Sequence, residues 1–137
     1  MKGKIKITKL DYSRLCDLIT SVKGNRSVEF RNIDFLGSEI KRAEKVDPRK
    51  IKPEFITMNS VVEIIDPENM KSMSLKLVYP GEADFKKGFV SVLSPLGSAL
   101  LGYKEGDTIS FEVPRGNKMI TIKKIIYQPE ANGEYFV

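Results

Sequence analysis

The chain is 137 residues long, 41% hydrophobic and 30% charged, with a formal net charge of +5, a single cysteine and no histidine. That length supports one compact domain, or one domain with a small appendage. Without histidine there is no Ser-His-Asp or Cys-His nucleophile pair, no imidazole base and no His-ligated metal, and one cysteine excludes an intramolecular disulfide and a thiolate metal site.

No apolar run approaches the roughly 18 residues of a membrane span, and Met1-Lys2-Gly3-Lys4 is not followed by a signal-peptide core. A reducing, cytoplasmic compartment and no membrane partner are the expectation. Charge is uneven along the chain. The first 50 residues hold 13 of the 23 Lys/Arg and 7 of the 18 Asp/Glu, so the basic excess lies at the N-terminal end. The N-terminal lysines Lys2, Lys4, Lys6 and Lys9 lack the interleaved aromatics of a nucleic-acid platform and read as a disordered, solvated tail.

Thr8 and Asp11 form a capping box, and an amphipathic helix follows through Val22, with Leu15, Leu18 and Val22 spaced by three and four and Ile19 widening the stripe. Cys16 reads as a packing residue beside that stripe. Lys23-Gly24-Asn25 closes the helix. A second periodic run starts near Ile33 and continues through Leu36, Ile40 and Ala43. Two such helices predict a short antiparallel hairpin with a coiled-coil seam, and about 14 residues at 1.5 Å each give it a reach of only about 21 Å. Asp47-Pro48 and Lys52-Pro53 then break the pattern, which divides the chain into an arm (1–46), a linker (47–57) and a C-terminal domain (58–137).

Ser60–Ile65 and Ser72–Val78 are β-branched or alternating segments around an Asp66-Pro67-Glu68-Asn69 turn, with Met73, Leu75 and Leu77 on one side. A loop from Pro80 to Asp84 leads to a strand at Phe89–Leu93. Ser94 is an N-cap with Pro95 at the first helical position, and Gly102 stops that brief helix. The turn at Lys104–Asp107 opens Thr108–Val113, where Ile109, Phe111 and Val113 alternate with polar partners, and Pro114–Asn117 reverses the chain into Lys118–Tyr127. The fold class expected is α+β, with a helical hairpin followed by an antiparallel sheet that packs one helix.

The wording of the C-terminal half resembles a family. Ser91, Val92, Ser94, Pro95, Leu96, Ala99, Leu100, Leu101, Gly102, Gly106, Asp107, Pro114 and Gly116 follow the series found in the C-terminal domain of the GreA/GreB transcript-cleavage factors. Three further phrases look like the Rnk branch, named for regulation of nucleoside diphosphate kinase: Thr57-Met58-Asn59-Ser60, Leu77-Val78-Tyr79-Pro80 and Tyr127-Gln128-Pro129-Glu130.

The resemblance implies an FKBP-like half-open sheet around one helix, in a bacterial protein. It implies RNA polymerase as partner, bound at the β′ subunit on the rim of the secondary channel through Leu93, Ser94, Pro95 and Leu96, with any nucleic acid reached only through polymerase. In the Gre factors, paired acids at the arm tip help hold a catalytic Mg²⁺. The corresponding turn here, with Lys23, Asn25, Arg26 and Glu29, offers one carboxylate among cations, and Asp34 falls on the helix. The expectation is therefore a regulator that docks without cutting RNA, needs no cofactor and competes with GreA/GreB. The other readings are a cleavage factor, a prolyl isomerase using Phe85, Phe89, Tyr103, Phe111 and Tyr127, and an influence on nucleotide metabolism through a partner. No Gly-rich phosphate loop supports direct nucleotide binding.

Overall fold

The chain was analysed as a computed structural model that describes residues 5–22 and 30–135. Its first described element is a strand, so Lys6 and Lys9 of the expected tail are ordered, while Lys2 and Lys4 lie outside the described residues. Strand β1 (Lys6–Thr8) alternates a solvent-facing Lys6 with buried Ile5 and Ile7 on either side, and this burial orders the backbone that the lysine spacing alone suggested was solvated. β1 pairs in parallel with β2 (Glu44–Val46), matching Lys6 to Glu44 and Thr8 to Val46. Lys6 Nζ lies 3.3 Å from Glu44 Oε2. A parallel pair needs a crossover, which here consists of α1 (Lys9–Val22) and α2 (Phe30–Arg42).

The expected cap is present: Thr8 Oγ1 accepts a 3.0 Å hydrogen bond from the Asp11 N–H at the first turn of α1. α1 turns Leu15 inward, and α2 does the same with Ile33, Leu36 and Ile40 at a spacing of three and four. Gly37 leaves room for Ile19, whose Cδ1 would stand 3.9 Å from a Cβ at that position.

The segment after β2 turns inward at its far end, where Ile51, Phe55, Ile56 and Met58 are buried. It leads into a five-stranded sheet in the order β5-β4-β3-β7-β6. β3 (Val61–Ile65) pairs antiparallel with β4 (Ser72–Val78), as the alternation predicts. β7 (Gly116–Tyr127) runs antiparallel to both β3 and β6 (Thr108–Val113), with two register shifts against β3 that help curl the sheet. β5 (Phe89–Ser91) joins the other edge in parallel to β4. Met73 shares the inward side with Leu75 and Leu77 but is 52% exposed at the open end of the sheet.

Helix α3 (Pro95–Leu100) lies in the curl. One core joins its Ala99 and Leu100 to Leu36 and Ile40 of α2, Ile7 of β1 and Val62, Leu77 and Ile122 of the sheet. Gly102, at φ 85°, ends the helical segment, and a Cβ there would sit 2.9 Å from the Ile5 Cβ. The glycine read as a helix stop is also the seat of the N-terminal strand, and Lys6 N donates to its carbonyl at 3.2 Å. The architecture is mixed α+β, with a helical N-terminal part and a curled sheet. Among the described residues no helix is long and apolar enough to cross a membrane.

Candidate functional site

The loop between β5 and α3 is held from both ends. Val92 is fully buried, and its N–H donates to Val78 O at 2.9 Å, which pins the strand exit to β4. Ser91 Oγ accepts from Leu93 N at 3.0 Å, while Ser94 Oγ donates to Ser91 O at 2.7 Å and accepts from Gly97 N at 3.0 Å. Ser98 Oγ returns a 2.9 Å bond to Ser94 O. The hydroxyls of Ser91, Ser94 and Ser98 therefore each bond to backbone within the corner. The outward surface consists of an exposed Pro95 ring flanked by half-buried Leu93, Ser94 and Leu96. A rigid apolar knob framed by satisfied hydrogen bonds is suited to binding a macromolecule, and it offers no group for acid–base chemistry.

A residue that sequence reasoning missed makes the corner possible. A Cβ on Gly97 would meet Ser91 O at 2.0 Å, so α3 can lie on the β5 carbonyl only because position 97 is glycine. The signal was there to be read: a glycine at the third position of a six-residue helix, where almost any other residue would be a better helix former.

The three phrases read at Thr57–Ser60, Leu77–Pro80 and Tyr127–Glu130 come together at a second place, the joint between α1 and the sheet. Thr57 Oγ1 donates to Glu130 Oε1 at 2.7 Å, and Ser60 Oγ accepts from Thr57 N at 3.0 Å. Asn59, at φ 68°, donates its N–H to Leu77 O at 2.7 Å, and Leu77 N returns a 3.0 Å bond to Ser60 O. Gln128 Nε2 donates to the carbonyls of Lys52 and Phe55 at 2.9 and 2.7 Å. Into this turn α1 sends Asp11, whose Oδ2 accepts from Met58 N at 3.1 Å. Asp11 is 3% exposed, and burial is the main cause that pushes its carboxyl up to about 7; the Met58 N–H opposes the shift and the nearby Glu130 adds to it. Burial also raises Glu130, against the Thr57 hydroxyl bond, and raises Tyr79, the group that closes the cluster from the end of β4. The clue to Asp11 in the sequence was its place four residues before Leu15, a charged residue on the apolar stripe.

α2 is fixed to the body by a different set. The Glu39 carboxylate, 3% exposed, receives Arg42 Nε at 2.6 Å and Nη2 at 3.1 Å, and the same Nη2 donates to Tyr103 Oη at 3.0 Å. Tyr103 follows α3, so this bridge ties α2 to the segment just past the rigid corner.

Of the site residues expected from sequence, Leu93, Ser94, Pro95 and Leu96 form the one exposed corner described above. Lys23, Asn25, Arg26 and Glu29 lie outside the described residues. Asp34 is exposed on α2, and no group of three or more His, Cys, Asp or Glu side chains converges among the described residues. The aromatic residues considered for a prolyl pocket are dispersed. Phe89 and Phe111 lie on opposite edge strands, Phe85 is 92% exposed, and Tyr103 is engaged with Arg42.

Comparison with known proteins agrees with this layout. Residues 51–127 match the family model for the C-terminal part of the transcription elongation factors GreA/GreB, and residues 4–46 match the model for the Rnk N-terminus. The "Regulator of nucleoside diphosphate kinase" of Escherichia coli strain K12 is 34% identical over 105 residues, covering 76% of this chain and 77% of that protein. "Transcription elongation factor GreA" of Pelobacter propionicus is 36% identical over 96 residues, covering 70% of this chain and 61% of that one. Among solved structures, the "Prokaryotic transcription elongation factor GreA/GreB from Nitrosomonas europaea" superposes with a TM-score of 0.76 at 38% identity, covering 90% of this chain and all of that one.

Proposed function

The chain belongs to the GreA/GreB family and carries an Rnk-type N-terminus, and from that premise we propose that it is a regulator that binds RNA polymerase without cutting the transcript. In this reading residues 58–137 form the docking domain, an FKBP-like sheet that presents Leu93, Ser94, Pro95 and Leu96 to the β′ subunit at the secondary-channel rim. Residues 1–46 are the short coiled-coil arm, residues 47–57 connect the two, and the protein acts in the bacterial cytoplasm. By occupying the rim it competes with the longer GreA and GreB factors. The arm tip (Lys23, Asn25, Arg26, Glu29) supplies a single carboxylate among cations, a poor recruiter of a second Mg²⁺, which supports binding without cleavage.

The observation that carries this reading is the hydrogen-bond frame of the corner: the Ser91 hydroxyl accepts from Leu93 N, Ser94 bonds to Ser91 O and Gly97 N, and Ser98 to Ser94 O, so the exposed Pro95 and its leucine flanks stay in one geometry. Rigid apolar anchors of this kind lose little entropy on binding. The test is capture of core RNA polymerase by the purified chain, followed by displacement with GreA and by an RNA-cleavage assay on backtracked complexes. The expected result is micromolar or tighter binding, displacement by GreA and no cleavage. Absence of binding at micromolar concentration removes the whole reading, whereas Mg²⁺-dependent cleavage removes the non-cutting part alone.

A further inference from the structure

Phe85 is 92% exposed, more than any other large hydrophobic side chain among the described residues, and it is not part of the Pro95 corner. A single apolar residue on a loose loop is ordinary. This one is held in place. Asp84 Oδ1 accepts from Lys86 N at 3.1 Å, and Asp84 O accepts from Lys87 N and Phe89 N, both at 3.0 Å. Asp84 N donates to Phe89 O at 3.0 Å, so the backbone closes on itself across the turn. The far side is fixed as well. Gly88, at φ 77°, donates to Phe85 O at 3.1 Å and accepts from Lys76 N of β4 at 2.9 Å, and a Cβ there would meet Ser74 O at 3.3 Å. Residues 84–89 thus form a clamped turn, locked to β4, that presents a phenyl ring to water.

The charges around the ring select the kind of surface it fits. Lys86 and Lys87 are exposed beside it, and neither ammonium is paired with a carboxylate among the described residues. Glu82 and Asp84 balance these two lysines, so the turn is neutral as a whole. A single-stranded nucleic acid calls for a net-positive track and successive rings on which bases stack. Phe89, the next aromatic, already has Lys76 Nζ over its face, 5.3 Å from the ring centroid. An aromatic side chain inside a rim of mixed charge is instead the anatomy of a protein-binding anchor. The clamped turn enters β5 at Phe89, and the Pro95 corner leaves it at Ser91. β5 is the outermost strand, and its length of about 10 Å puts both features on one edge of the sheet. A partner surface of ordinary size, about 800 Å² a side, is wide enough to span them.

Resting on the polymerase-binding reading, we propose that Phe85 is a second anchor of the same interface: its ring fills an apolar pocket on RNA polymerase, and Lys86 and Lys87 face carboxylates at the edge of that pocket. The turn is rigid before contact, so the ring gives up little conformational freedom on docking. Pro95 and Phe85 then hold the chain at two points along β5, and the docked domain cannot swivel about one contact.

The test is titration of core RNA polymerase with the full chain as wild type, Phe85→Ala and the double variant Lys86→Glu/Lys87→Glu, at about 50 and about 150 mM salt. Phe85→Ala is expected to raise Kd at least about tenfold while leaving the thermal midpoint unchanged, because the ring is exposed in the free chain. The charge reversal is expected to raise Kd at low salt and to remove the weakening by salt that the wild type shows. A Phe85→Ala Kd within about twofold of the wild type overturns the second anchor and leaves the polymerase-binding reading standing. Failure of the wild type to bind removes both. Should Phe85→Ala melt below the wild type, the charge reversal decides, since it keeps the ring: an unchanged salt dependence overturns the proposal. Micromolar binding of a single-stranded RNA oligonucleotide that is lost in Phe85→Ala assigns the ring to nucleic acid and overturns it too.

Discussion

The carbonyl oxygen of Ser91 occupies the space where a Cβ of residue 97 would stand, 2.0 Å from the ideal position, so Gly97 is the residue on which α3 rests against β5. The exposed surface of the β5–α3 corner, Pro95 and its leucines, is held at the end of this contact. Gly97→Ala is expected to push α3 off the strand and destabilise the chain by about 2–4 kcal/mol, because the clash is with backbone and has no flexible side chain to yield. Urea denaturation measures this directly. A loss below about 0.5 kcal/mol would mean the helix shifts freely and the corner is not rigid.

Ser94 does two jobs, capping Gly97 N at 3.0 Å and donating to Ser91 O at 2.7 Å. Ser94→Ala is expected to cost about 1–2 kcal/mol, and Ser94→Asp less, since a carboxylate caps the helix equally well but cannot donate to Ser91. The order of the two variants in thermal melts is the check. Equal losses would assign the stability to the donated bond.

Acid–base titration gives a third expectation. Burial pushes the Asp11 carboxyl up to about 7 in the folded chain from its ordinary 3.8, so between those limits the folded state holds more protons than the unfolded one. The stability contributed by this group is fully present below about pH 4, is lost as pH rises through about 7, and is constant beyond. Glu130, also raised, adds in the same direction. Asp66, held below its usual value chiefly by the Lys118 ammonium at 2.8 Å, acts oppositely and loses its contribution as the pH falls below about 4. Denaturant midpoints are therefore expected to be highest at mildly acid pH and to decline toward pH 8. A midpoint that rises steadily from pH 5 to pH 8 would contradict it.

The bridge from α2 gives a fourth. Arg42→Met leaves the Glu39 carboxylate buried without its two guanidinium bonds and is expected to cost about 2–3 kcal/mol, while Tyr103→Phe, which removes one hydroxyl, costs about 1 kcal/mol. The double variant is expected to cost less than the sum, since both act on one network. Strict additivity would show that the tyrosine acts independently of the pair.

Much of the sheet domain was legible because its signals are local. Ser94-Pro95 and Gly102 bracket α3, and alternation placed β6 at Thr108–Val113 without error. The N-terminal ribbon was not legible. Its strands have three residues each, are 36 positions apart at their nearest ends and carry lysines, and no three-residue segment shows a period. The β5–α3 corner was readable as a cap, but the need for Gly97 lies in its distance to a residue six positions earlier, which only the folded backbone defines. The joint at Asp11 was readable as separate phrases. That Thr57 reaches a residue 73 positions away is a product of the sheet's closure, in which β7 carries Glu130 back past β3.

The parallel ribbon of β1 and β2 brings the chain into and out of the helical pair at neighbouring points, Thr8 and Glu44, over Gly102. The pair is in effect a cassette mounted on a fixed bracket. Its two ends do not move apart when its middle lengthens, so a graft of longer or shorter helices between them changes reach alone and leaves the bracket and the sheet as they are.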